Sequence, residues 1–553
     1  MAVLNPSGVT QDGSGLLDSW KAIATHLGRD VRTVQRWEKS EGLPVHRKLH
    51  DKLSSIYAYK AELDSWWHDG RPALTRIEDS SPLPRRPLLA VLPLRNLNGL
   101  QEEEYFSDGL TEELISHLSR INPEQLGVIS SSSTMRYKAK TNDLGRIERD
   151  LGVSYILDGS VRRSDDRVRV AIQLIGVGDH GHLWADSYDH DLRDILELQA
   201  EVAKDVASQV AVKLSAAEEK RLGSAHPIDP HAYEAYLRGR SLWNLRTPTS
   251  IEHAIEFFKQ AVSMEQGYAR AHAGLADCYS MLSTTALGVL NPANAMPLSK
   301  AAAARALELD PRLAEAHVSL AYSKLFFDWD WLSADQSLRR SLELNAGYAT
   351  GRQWLAEYFA TLGRTEQAIA QLRVAQELDP LSLVVRAARA AVYYLARDYD
   401  RSIEESKQTL KIDSTFVLAY LNLGRACVQK RRYREAVITL KAALELAPGA
   451  SAVLMGLGRA YAAYGKIAEA RNVIKTLQRL NRLSYIPAFH FAAVYAAMGD
   501  HESTFAWLTK AREERCDYFA YLDREPGSDS IRHDARFASL TPRAPEHLTQ
   551  QRI

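Results

Sequence analysis

The chain has 553 residues, too many for a single hydrophobic core, so several structural units are expected. Its 69 basic residues balance 69 acidic ones, which excludes nucleic-acid binding through the overall field and confines any such activity to a local patch. Three scattered cysteines, Cys278, Cys427 and Cys516, exclude a disulfide framework and a thiolate zinc site, and no apolar run approaches the ~18 residues that span a bilayer.

No signal-peptide pattern is visible over Met1 to Gly15, and the expected location is the cytoplasm. Residues 1–70 carry the sharpest functional signal. Leu17, Trp20, Ile23, Ala24 and Leu27 fall on one face of a short helix that Gly28 breaks. Asp30 is placed to cap a second helix starting at Val31, whose Val31, Val34 and Trp37 point inward. That leaves Arg32, Thr33, Gln35, Arg36 and Lys39 outward, a donor-rich face of the kind that enters a DNA major groove, where Arg reads guanine and Gln reads adenine. Leu43 to Lys48, a turn through Asp51-Lys52 and Ile56 to Tyr59 form a candidate hairpin, and a third helix, Ala61 to Trp67, closes the core with Leu63, Trp66 and Trp67. Arg47, Lys48 and Lys52 on that hairpin are the candidate phosphate contacts. Between Arg29 and Lys52 seven bases face four acids, a modest positive patch. Val31-Arg-Thr-Val-Gln-Arg-Trp-Glu38 and Glu41-Gly-Leu-Pro44 resemble the MerR/excisionase type of winged helix-turn-helix, which implies double-stranded DNA as a partner.

A Pro/Ser/Arg linker, 71–87, reads as extended. Residues 88–222 then alternate strand and helix patterns, an α/β reading. Leu88–Leu94 is an apolar run and Leu110–Leu118 has helical spacing. Tyr155–Arg162 and Val168–Val177 are strands meeting at Ser164 to Arg167, and Leu196–Leu214 is a long amphipathic helix. Leu89-Ala-Val-Leu-Pro-Leu94, Tyr105-Phe-Ser-Asp-Gly-Leu110, Tyr155-Ile-Leu-Asp-Gly-Ser-Val-Arg162 and Leu183-Trp-Ala-Asp-Ser-Tyr-Asp189 resemble the TolB-like, FlgO-related amino-terminal domain, a family that implies fold and company rather than chemistry. Asp179, His180, His182, Asp186, Asp189 and His190 include metal-capable groups, yet strand alternation separates them, so no metal is expected. Ser130 to Ser133 could offer amides to an anion, but a phosphate loop's glycines are missing, and Gly176-Val-Gly178 lacks a third glycine and a helix. With no nucleophile–base pair at informative spacing, neither an enzyme nor a cofactor is expected.

Residues 230–520 carry a register of helix-ending dipeptides: Leu309-Asp310, Leu344-Asn345, Leu378-Asp379, Ile412-Asp413, Leu446-Ala447 and Leu480-Asn481, spaced 34 residues apart after a first gap of 35. That period is a helix pair with its turns, so an α-solenoid of about eight units is predicted, two early ones distorted by an insertion at 283–297 and by Trp329 and Trp331. Gly424, Ala436 and Ala443 allow close helix approach, and Gly458 is a packing position. The pattern resembles the tetratricopeptide repeat, which implies a groove lined by the first helix of each unit and nominates Gln353, Glu357, Arg425 and Arg459 to bind a protein or peptide partner. Residues 521–553 are expected to be a cap over the last exposed helix face and a tail. The chain is thus expected to be mainly α and to regulate transcription by binding DNA, with a homodimer as the expected route to affinity. The rival reading is a non-enzymatic scaffold whose first module contacts protein.

Overall fold

The computed structural model describes residues 16–27, 31, 34, 35, 38, 43–50, 53–60, 62–64, 86–99, 103–138, 143–164, 166–178, 181–212, 214–215 and 227–550. The chain divides into two compact units, Met1–Arg85 and Arg86–Ile553.

In the first unit Ser19 starts helix Trp20–His26 by accepting the amide of Ala22 at 3.2 Å. This cap places Leu17 outside the helix, contrary to the expected apolar face. Leu16–Leu17 is a short strand, β1, paired with β3 (Leu53–Tyr59), which also pairs antiparallel with β2 (His46–His50). Ile23, Ala24, Val34, Leu43, Ala58 and Leu63 are buried together, with Leu17, Trp20 and Val31 packed around them.

The second unit begins with a six-stranded sheet formed by β4 (Leu88–Val91), β5 (Arg95–Asn96), β6 (Gly127–Val128), β7 (Tyr155–Ser164), β8 (Arg167–Gly176) and β9 (His182–Asp191). Its order is β6-β4-β7-β8-β9, with β5 beside β7; β6, β4 and β7 run parallel, and β7, β8 and β9 antiparallel. The Leu89-Ala-Val-Leu92 run is apolar without alternation because both faces are covered. Leu89 and Val91 join helices Glu104–Ser119 and Ile195–Gln209, while Ala90 and Leu92 join helix Leu144–Leu151. The expected hairpin forms with Ser164 opposite Arg167. The expected helix 196–214 instead stops at Gln209, because Ala211 turns into the left-handed region at φ 57°.

Eight helix pairs follow among the described residues, from Pro230–Asn244 with Pro248–Met264 to Ala488–Met498 with His501–Glu513. Leu309, Leu344, Leu378, Ile412, Leu446 and Leu480 are each the last residue of a second helix, as the dipeptide register requires. Small residues set the spacing: a Cβ on Gly424 would lie 2.6 Å from Leu440 Cγ, and one on Gly458 2.8 Å from Val494 Cγ2. The irregular early units are also where expected, with Pro297 inside helix Pro292–Leu309 and Trp329 left-handed at φ 57° after a π-turn.

Sheet and solenoid share one core. Leu110 and Leu114 of helix Glu104–Ser119 are buried with Tyr233 and Leu237 of the first solenoid helix and with Phe258 of the second. The solenoid's first exposed face is thereby covered by the sheet's own helix, the role a capping repeat plays elsewhere. At the other end the expected cap is only half of what forms. Ile531 and Phe537 do pack with Phe505 and Leu508 of the last pair, but from Cys516 to Asp529 the chain turns back and contacts first helices of earlier units. Burying Glu525 between two arginines, rather than covering apolar surface alone, directs that path.

Candidate functional site

In the first unit Val31, Val34, Gln35 and Glu38 are helical; Val34 is buried and Gln35 half-buried. Arg47 on β2 donates to Glu38 at 2.6 Å while remaining half exposed. His46 stacks on Tyr57 at 5.2 Å and meets the Glu62 carboxylate at 2.6 Å. Arg32, Thr33, Arg36, Lys39 and Lys52 lie outside the described residues, as do Asp30, Trp37, Trp66, Trp67 and the Lys48 side chain.

Gln353 and Glu357 lie on one first helix and Arg425 and Arg459 on two others, and the chain itself engages both sets, through Tyr521 and Glu525 respectively. On helix Ala349–Thr361, Gln353 and Glu357 lie one turn apart, and the Gln353 side-chain amide donates a hydrogen bond to Glu357 Oε1 at 3.0 Å. Tyr521 of the returning segment donates to Glu357 Oε2 at 2.9 Å. Burial pushes the Glu357 carboxyl up, against these two donors. Arg425 and Arg459 occupy the same position of successive Leu-Gly-Arg-Ala units and both reach Glu525, at 2.9 and 3.0 Å. The Glu525 carboxylate also accepts Tyr518 and Tyr394 hydroxyls, each at 2.7 Å, and the Gly527 amide at 3.0 Å. Its side chain is 2% exposed. Burial alone would raise its pKa, yet the two guanidiniums and two phenols hold it down to about 2. Arg425 lies 4.2 Å from the Tyr394 ring centroid, a cation–π contact that leaves its other donors for Glu525.

Glu525, Tyr394 and Tyr518 were not legible as site residues, since Tyr518 and Glu525 follow the last helix pair and Tyr394 does not share the register position of Arg425 and Arg459. A signal did exist: two arginines at one register position on facing first helices are like charges that require an anion between them. Next to this clamp lies a second buried group. Thr285, from the early insertion, donates its amide to Asp517 at 3.1 Å and its hydroxyl to the same carboxylate. Burial pushes Asp517 up to about 6, and His490, wholly enclosed nearby, is pushed down to about 3.

The Ser130 to Ser133 stretch binds an anion, and the anion is internal. The Ser132 and Ser133 hydroxyls donate to the Asp379 carboxylate, Ser133 at 2.5 Å, while the Ser130 amide donates to Leu378 O at 2.8 Å. One repeat earlier, Asn345 donates to Ser119 Oγ at 3.1 Å, and Arg120 clamps Glu315 at 2.8 Å. Two second residues of the dipeptide register, Asn345 and Asp379, thus dock the elements that flank the sheet. Asp179 and His180 lie outside the described residues. On β9, Asp189 faces Arg167 at 2.6 Å and His190 faces Glu201 at 3.0 Å, so these groups are engaged by separate partners. Among the described residues no group of three or more His, Cys, Asp or Glu is placed to hold a metal ion, and no helix is long and apolar enough to cross a membrane.

Residues 85–205 match the family described as the HilA/YgeH-like transcriptional regulator, second domain, and residues 431–486 match the tetratricopeptide repeat. A Rhizobium meliloti protein named "Putative adenylate cyclase 3" is 40% identical over 198 residues, 36% of this chain and 33% of that protein. The transcriptional regulator HilA of Salmonella typhimurium is 21% identical over 359 residues, 64% of this chain and 61% of its own. The chain therefore spans a third of the first relative and under two thirds of the second. A solved structure of Pseudomonas aeruginosa PilF aligns with a TM-score of 0.29 and 21% identity, covering 38% of this chain and 93% of its own.

Proposed function

We propose that this chain is a DNA-binding transcriptional regulator whose solenoid docks a protein partner. The observation that carries the reading is order along the chain: a separate compact unit, Met1–Arg85, stands directly before a region similar to the second domain of HilA-type regulators. That unit pairs a helix bearing Gln35 with an antiparallel hairpin bearing Arg47, an arrangement consistent with a MerR-type winged helix-turn-helix. In this reading Arg32, Gln35 and Arg36 meet base edges, Thr33 and Lys39 flank them, and Arg47, Lys48 and Lys52 hold phosphates. The regulator reading extends through the sheet, with boundaries at about 70, 88, 222 and 230, and the TolB-like resemblance describes that sheet's fold. Cyclase activity is not proposed, because the relative so named shares only a third of its length with this chain.

The test is fluorescence anisotropy of the full chain on duplexes enriched from random sequence, across a salt series. Arg36→Ala should lose ~1–3 kcal/mol on the selected site and blur one base, whereas Lys48→Ala should weaken all sequences alike and flatten the salt slope. Failure to enrich any sequence, with no salt-sensitive binding at low ionic strength, would favour the scaffold in which the first unit contacts protein.

A further inference from the structure

We propose that the inner face of the solenoid is a receptor for an acidic peptide segment, and that residues 517–529 occupy it as an internal ligand which such a partner displaces. The proposal rests on the reading that the solenoid docks a partner and is independent of DNA binding.

The receptor half belongs to the repeats and the ligand half does not. Arg425, Arg459, Tyr394 and Glu357 stand on four successive first helices, Ala349–Thr361 through Ser451–Ala463. The groups that act on both guanidiniums are Tyr394, Tyr518 and Glu525, and the Arg425 charge opposes that of Arg459. Among the described residues Glu525 is the one carboxylate reaching both. Without an anion between them, two guanidiniums would stand side by side on the inner face, so the repeats favour a negatively charged occupant. The phenol of Tyr394 adds a donor directed at the same carboxylate. Beside it an aromatic shelf receives Tyr521, whose ring lies 5.5 Å from Phe326.

The occupant is attached as a bound peptide is. Residues 517–529 form two short 3-10 turns rather than a repeat helix. Backbone bonds donated by Leu522, Arg524, Glu525, Ser528 and Asp529 all end within the segment. Its ties to the solenoid are made by side chains: Glu525 to the clamp, Tyr521 to Glu357, Asp517 to Thr285 and Asp529 to Arg397 at 2.6 Å, with Phe519 and Leu522 buried among the apolar residues of the last helix pairs. Leaving the groove would therefore break no backbone ladder. Tethering gives such a segment an effective concentration on the order of millimolar, so an external peptide of similar chemistry binds weakly until the internal carboxylate is neutralised. The partner this site fits presents a Glu or Asp flanked by a tyrosine and an aliphatic residue in an extended or turned segment.

The probe is a fluorescein-labelled synthetic peptide of residues 517–531, titrated into the full chain. Glu525→Gln in the protein removes the charge but keeps an acceptor, and should bind the peptide at least ~10-fold tighter than the natural chain. Tightening should vanish when the peptide carries the same Glu525→Gln change, or when the protein also carries Arg459→Met. A Glu525→Gln chain that keeps its helical circular dichroism and binds the peptide no tighter overturns the proposal, and makes the segment a permanent part of the fold. If that variant fails to fold, hydrogen exchange of the natural chain decides: excess peptide should accelerate exchange at 519–529, and unchanged protection there overturns the proposal. Duplex binding measured on the same preparations separates the two readings, since loss of DNA binding leaves the peptide result standing.

Discussion

Two enclosed carboxyls, shifted in opposite directions, set the acid response at the scale of single residues. Burial would raise the Glu315 carboxyl, but Arg120 and Arg270 hold it down to about 2 from its ordinary 4.5. A folded value below the unfolded one means its stabilising contribution is complete above pH ~4.5 and is lost as pH falls toward 2. Asp517 has the reverse sign: raised to about 6 from 3.8, it favours the fold below pH ~4 and loses that contribution as pH rises through 6. We predict that Glu315→Gln costs ~3–5 kcal/mol at pH 7, because Arg120 is left buried opposite a neutral group, and that this variant loses less stability than the natural chain between pH 5 and 3. Asp517→Asn should remove the decline between pH 4 and 6. Urea unfolding at pH 3, 5 and 7 reads both; parallel pH profiles for the variants and the natural chain would refute the assignment. Gly458 makes a simpler case. With Val494 Cγ2 2.8 Å and Val473 Cγ1 3.1 Å from an added Cβ, Gly458→Leu should overpack the seam by ~1–3 kcal/mol, seen as a lower midpoint of thermal unfolding.

At the scale of elements, residues that are equivalent in the repeat differ in what they meet. Asp379 and Asp413 both follow the last residue of a second helix, yet Asp379 is buried against Ser132 and Ser133 while Asp413 only accepts its neighbour Thr415, at 2.8 and 2.7 Å. Asp379→Ala should therefore cost ~1–3 kcal/mol, the penalty for stranding buried hydroxyls, and Asp413→Ala well under ~1 kcal/mol. Equal costs in chemical denaturation would mean that the sheet does not dock through this row. The contrast also explains what was legible beforehand. Periodicity announces where helices end, because every unit repeats the same local problem of capping and close packing, and the Leu378-Asp379 dipeptide is plain on that basis. It is silent on which copy meets the sheet, a contact made once. The returning segment is hidden for the same reason: Glu525 in isolation reads as a solvated acid, and only the solenoid's curvature brings Tyr394, Arg425 and Arg459 around it. In the first unit the apolar spacing suggested that Leu17 was helical, whereas the Ser19 cap, a single local hydrogen bond, assigned it to a strand. Gln353, Glu357, Arg425 and Arg459 stand on first helices of their pairs, but spacing could not reveal that Tyr521 and Glu525 of the same chain engage Glu357 and the two arginines.

At the scale of the molecule, long-range ties alter how the solenoid should behave. Repeat arrays held by nearest-neighbour contacts alone can unfold piecemeal. Here Ser119 with Asn345, Thr285 with Asp517 and Glu525 with Arg425 join parts of the chain 100 to 232 residues apart. The unit Arg86–Ile553 is expected to lose sheet and helix protection together, and hydrogen exchange resolving separate transitions would contradict this.

The first unit raises a different question of affinity. The whole chain is neutral and the patch from Arg29 to Lys52 holds seven bases against four acids, of which Arg47 is already paired with Glu38. So few free cations give few phosphate contacts, and non-specific binding typically sits at ~10⁻⁴–10⁻⁶ M at physiological salt. One such module should not outcompete genomic DNA by itself. Two copies joined in a dimer would place the second module near its half-site at high effective concentration, and so gain affinity without any new contact. We therefore predict that occupancy depends on self-association: the full chain should bind a duplex with two half-sites at least ~100-fold tighter than the compact fragment Met1–Arg85 binds one. Sedimentation and anisotropy on the same samples provide the check. A full chain that sediments as a monomer and gains nothing from the second half-site would replace this idea with recruitment by another DNA-bound protein.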